Sequence, residues 1–137
     1  MKCSCQLTSL EFKLICESIS TIPKEYELDA QSEERELDSF ETFVCESIQQ
    51  FQQHRVKDSK VLINDLTVDQ LFEIYDAVSC WPETILGQVE RQGYIEPSSQ
   101  IFCRAIQKLY QSAGVINRVD DQSIYQKLFS YPTKEEN

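Results

Sequence analysis

Two short capping signals, each opening an apolar run at helical spacing, constrain this chain more than any other feature. Thr8 and Glu11 have the spacing of a capping box, in which each side chain serves the other's backbone N–H. Behind them Phe12, Ile15, Cys16 and Ile19 fall on one face at intervals of three and four. Thr67 and Gln70 repeat the device ahead of Leu71, Ile74, Tyr75 and Val78. Leu7 with Phe12, and Leu66 with Leu71, stand where hydrophobic staples would pin the starts of the two helices.

The punctuation between these runs completes a helical reading. Pro23 ends the first helix, because it lacks an N–H and crowds the preceding turn. Residues 23–31 read as an acidic loop, and a helix over 33–55 carries Leu37, Phe40, Val44, Ile48 and Phe51. Val61 to Ile63 can form one short extended stretch, near 60–63. Pro82 suits the start of a helix over 83–92 that buries Ile85, Leu86 and Val89, with Gly93 as its left-handed cap. Pro97 to Ala113 reads as another helix, capped by Gly114, and Asp120 or Asp121 can start a last one carrying Ile124, Tyr125, Leu128 and Phe129. Three glycines leave little material for the turns of a sandwich or barrel.

The expected fold is therefore all-α: a bundle or orthogonal array of five to six helices in one domain over 1–131, with 132–137 a frayed polar tail. Its expected core is Phe12, Ile15, Ile19, Phe40, Val44, Ile48, Leu71, Ile74, Val78, Ile85, Val89, Ile106 and Leu109.

Charge narrows the function. The formal net charge is −10, which repels phosphate backbones at long range. The sharpest cluster runs from Glu25 to Glu41, eight acids against Arg35 alone. Within it Glu33, Glu34, Glu36, Asp38 and Glu41 are the expected contacts for a partner with a basic surface. A smaller patch, Arg104 and Lys108 with Gln111, lies in a stretch without acids, Pro97 to Val119. No apolar run reaches the roughly 20 residues that span a bilayer, and the segment before the first helix lacks the apolar stretch, roughly 7–15 residues, of a secretory signal. A cytoplasmic protein away from membranes is expected.

Chemistry is poorly signalled. Cys3 and Cys5 form a single C-x-C pair without the second pair a zinc site needs, and His54 is the only histidine. Phosphate-binding loops, nucleophile elbows and metalloprotease signatures are missing from the sequence. No metal, cofactor or catalytic set is expected. The stretch 66–95 resembles the generic helix-turn-helix of winged-helix regulators: a capped helix, a short turn, then a helix ending at Gly93, Tyr94 and Ile95. That resemblance implies Gln88, Arg91 and Gln92 as nucleic-acid contacts. It departs from the pattern at Asp76, at Pro82 and in having helix where a wing would follow. The primary expectation is a small acidic protein-binding or regulatory module, of adaptor, inhibitor or assembly-factor type and without its own chemistry. The alternatives are a regulator built on 66–95, and a thiol sensor or enzyme using Cys3 and Cys5.

Overall fold

Burial alternates at the start of the chain: Cys3, Cys5 and Leu7 point inward, while Ser4, Gln6 and Thr8 are exposed. That period of two makes a strand. In the computed structural model, which describes residues 2–114 and 119–134 and only the backbone of 119–121, strand β1 (Cys5–Thr8) pairs antiparallel with β2 (Lys60–Ile63). Cys5 stands opposite Ile63 and Leu7 opposite Val61, so one face of the ribbon is apolar. The extended stretch at 60–63 is thus half of a ribbon whose other half is the N-terminal segment.

Seven helices accompany the ribbon among the described residues: α1 (Ser9–Ile19), α2 (Ile22–Ser32), α3 (Ser39–Gln52), α4 (Val68–Val78), α5 (Trp81–Gln92), α6 (Pro97–Ser112) and α7 (Val119–Ser130). The mostly helical reading holds. Both expected capping boxes are present, with Thr8 Oγ1 accepting from the Glu11 N–H at 3.1 Å and Thr67 Oγ1 from the Gln70 N–H at 3.1 Å. Gly93 caps α5 in the left-handed region at φ 86°. The start of α7 lies at Val119, and side-chain capping by Asp120 or Asp121 falls outside the described residues.

The acidic segment 23–31 is helix, not loop. Pro23 sits in the first turn of α2, where its missing N–H has no partner to lose. A proline read as a stop is here a start. Consequently α3 begins at Ser39 rather than near 33, behind a third capping box between Asp38 and Glu41. This box corrects the core as well. The buried stripe of α3 runs through Glu41, Val44, Ile48 and Phe51, so Phe40 is turned outward and is 54% exposed. The other twelve expected core residues are all buried.

Helix α6 is the hub, packing against β1, α1, α4, α5 and α7, while α3 covers α4 and α2 covers α3. Tyr75, Tyr110, Tyr125 and Phe129 form a chain of ring contacts joining α4, α6 and α7, with centroid spacings of 5.6, 6.2 and 6.3 Å. The segment after α7 is held rather than frayed as far as residue 134. The Ile95 N–H donates to the Pro132 carbonyl and the Lys134 N–H to the Ile95 carbonyl, each at 2.9 Å. Residues 135–137 lie outside the described residues.

Candidate interaction surfaces

The acidic segment is shaped by its single arginine. Glu34 turns the chain after α2 in the left-handed region, at φ 53°. Arg35 then reaches back to Glu33 and forward to Glu41, whose two carboxylate oxygens accept from its guanidinium at 2.6 and 3.3 Å. Glu41 also takes the Asp38 N–H at 3.0 Å, and it is buried. The hydrogen bonds from Arg35, then that from the Asp38 backbone, hold its carboxyl below the usual range. Glu41 therefore serves as a structural residue of the α2–α3 corner, and Glu33 pairs with Arg35 beside it. Among the expected contacts Glu33, Glu34, Glu36 and Asp38 are exposed, joined by Glu25, Glu27 and Asp29 along α2.

A second source of negative charge comes from α4, which sequence reasoning left out. Glu73 is half-buried, and burial, then the carboxylates of Asp76 and Asp69, push its carboxyl above the ordinary range. Tyr26 of α2 is shifted upward by burial and by Cys45, Glu41, Glu73 and Asp38 around it. Tyr26 of α2 thus stands near Asp38 and Glu41 at the start of α3 and Glu73 of α4. The spacing of Asp69, Glu73 and Asp76 on one face of α4 was a readable signal. The approach of Glu73 to Tyr26 depends on packing.

Each cation of the expected basic patch on α6 has an intramolecular partner, Arg104 remaining exposed and Lys108 partly so. Lys108 Nζ lies 2.7 Å from Glu11 Oε1, and the Arg104 guanidinium sits 4.2 Å from the centroid of the Phe129 ring. Gln88 and Arg91 are exposed on α5, where Glu83 and Glu90 are exposed as well. Gln92 is turned back onto the Tyr94 carbonyl at 2.8 Å. After α5 the chain pairs Ile95 with Thr133 and enters α6, so among the described residues no β-wing flanks this helix.

Half of the six thiols are core residues. Cys3, Cys5 and Cys103 are buried. Burial pushes the Cys5 thiol up against the smaller opposing pulls of Ser112 and Lys108, and it raises Cys16 to about 11 and Cys103 to about 12. A reactive thiolate needs the reverse environment. Among the described residues no three His, Cys, Asp or Glu side chains converge as a metal-ligand set, and no helix is long and apolar enough to cross a membrane. His54 bridges two elements: its Nε2 is 2.6 Å from Asp65 Oδ1 and its Nδ1 is 2.9 Å from the Phe51 carbonyl. It ties the end of α3 to the turn before α4.

Grooves also open on the surface. One of about 450 Å³ lies between α1, α5 and α6, with Trp81, Ile85, Phe102 and Leu14 in its walls. A shallow one of about 450 Å³ lies against the ribbon, lined by Gln6, Arg55, Lys57, Asp58, Lys60 and Leu62. No protein family model, no curated protein and no solved structure matches the chain.

Proposed function

We propose that this protein is a binding module without its own chemistry, which presents the acidic face of α2, residues 33–38 and α4 to a basic surface on a protein partner. The observation that supports this reading most is the run of exposed carboxylates Glu25, Glu27, Asp29, Glu33, Glu34 and Glu36, with Arg35 as the one cation paired among them. Like charges crowded on one surface repel one another. Arg35 offsets part of the charge in this region, and the acids of α2 and α4 keep theirs. A basic partner would relieve that repulsion on docking and would be steered toward the face.

The test is capture from native lysate with the tagged protein. Glu25, Glu27, Glu34 and Glu36 changed together to lysine should abolish capture of the bound partner, and raised salt should do the same to the wild type. Reversing Glu83 and Glu90 on α5 should leave capture intact. Equal loss in both variants, or capture indifferent to salt, would exclude the acidic face as the docking surface.

A further inference from the structure

The outward face of the ribbon carries the opposite charge. Lys2, Ser4 and Gln6 point to solvent from the first segment, and Lys60 and Leu62 from β2, with Gln6 directly opposite Leu62. Below them the chain leaves α3 through Arg55 and turns at Lys57–Lys60. Both central residues of that turn lie in the left-handed region, Asp58 at φ 54° and Ser59 at φ 63°. The turn is closed by two backbone bonds between Lys57 and Lys60, of 2.7 and 3.0 Å. Among the described residues Arg55, Lys57 and Lys60 have no carboxylate within ion-pair distance. They line the groove with one carboxylate, Asp58, while Lys2 lies at the other end of the ribbon, opposite Thr67. In a chain of net charge −10, this grouping of three cations against one acid stands apart.

We infer that this groove is a docking surface for an extended acidic segment of a protein, whose carboxylates meet Arg55, Lys57 and Lys60 and whose aliphatic side chain covers Leu62. Charge complementarity selects the sign of the occupant. Its shape selects the kind: a depression of about 450 Å³ seats side chains better than a flat bilayer does. No aromatic ring lines it, so it lacks the stacking platform that single-stranded nucleic acids use. Leu62 is 53% exposed in the middle of the cations, where it would contribute once covered. The protein's acidity does not cancel the local field. The acidic corner lies beyond the opposite end of α3, roughly 20 Å along the helix, against a screening length of about 8 Å at physiological salt.

The experiment uses the full chain and a short fluorescent peptide of alternating glutamate and valine, followed by anisotropy. Saturable binding that weakens with salt is expected. Lys57→Glu with Lys60→Glu should weaken it about tenfold or more, with an unchanged thermal melt. Leu62→Ser should weaken it without changing the salt dependence. Lys24→Glu and Arg91→Glu, distant from the groove, should bind as the wild type does. Peptide binding that ignores the double reversal would overturn the proposal. So would a preference for duplex DNA or phosphatidylserine vesicles over the peptide, or self-association lost in the same variant, which would assign the face to a second copy. This site is independent of the acidic face: the α2 reversals leave peptide binding in place, and the ribbon reversals leave capture of a basic partner in place.

Discussion

Lys108 joins Glu11 across 97 residues of sequence, with Nζ 2.7 Å from Oε1. The same oxygen accepts the Thr8 N–H at 2.7 Å. One carboxylate therefore closes the capping box of α1 and clamps α6 against it. Glu41 does the same work at α3, with Asp38 as its cap partner and Arg35 as its cation. The two buried glutamates of the described core are both capping-box residues held by a positive charge.

This double role separates three variants. Glu11→Gln keeps the box, because glutamine serves equally at that position, and loses the ion pair. Glu11→Ala loses both. Lys108→Met leaves a nearly buried carboxylate without its counter-charge, at a cost of about 1–3 kcal/mol. Urea denaturation should rank Glu11→Ala as less stable than Glu11→Gln. Equal stabilities would show that the cap contributes nothing there.

Two carboxyls have opposite pH signatures. Burial, with Asp76 and Asp69, raises Glu73. The stability it contributes is present below the ordinary glutamate range and is lost as pH rises through its raised value. Glu73→Gln should therefore raise the melting temperature at neutral pH and make no difference near pH ~3. Burial pulls Asp65 upward, but hydrogen bonds from His54 and Gln50 outweigh it and hold the carboxyl low. Its contribution is present above the ordinary aspartate range and is lost as pH falls through the lowered value. Asp65→Asn should destabilise at neutral pH and lose that effect in acid. Melts of both variants across pH check the signs together, and parallel curves would contradict them.

Phe40 offers a direct check of the α3 register, with Ile74 of α4 as the buried comparison. Phe40→Ser should change stability by no more than about 0.5 kcal/mol, since its ring is largely in water. Ile74→Ala, at a fully buried position, should cost about 2–5 kcal/mol. A large loss from Phe40→Ser would mean that the aromatic ring is covered in solution.

The six thiols should differ in access. Cys80 is exposed, Cys16 and Cys45 are half-buried, and Cys3, Cys5 and Cys103 are buried. Titration with a disulfide reagent under native conditions should show one fast phase, removed by Cys80→Ser. Cys3, Cys5 and Cys103 should react only as the protein unfolds. A fast phase that survives in Cys80→Ser and disappears in Cys5→Ser would revive the thiol-sensor reading.

Local signals were legible where one short segment contains its own partner. The boxes at Thr8 and Thr67, the left-handed cap at Gly93 and the stripes of α4 and α5 are satisfied within a few residues, so the sequence by itself determined the helical class and the helical part of the core, while the ribbon's share, Cys3, Cys5, Leu7, Val61 and Ile63, came with the tertiary structure. Pro23 was ambiguous because its missing N–H allows either the end of one helix or the first turn of the next. The length of α1 and the placement of α2 resolve it. The alternation of Cys3, Cys5 and Leu7 could have suggested a strand. Its distant partner, Lys60–Ile63, could not be named, because a ladder bond carries no mark in sequence.

Charge shows the division most clearly. Composition alone establishes that the molecule is acidic. Tertiary packing decides which charges remain available. It gives Glu41, Lys108 and Arg104 intramolecular partners, brings Glu73 of α4 near Tyr26 of α2, and among the described residues leaves Arg55, Lys57 and Lys60 without an ion-pair partner beside the ribbon. The reason is physical: an ion pair depends on distances of a few ångströms between side chains that are far apart in the chain, and only the fold sets those distances.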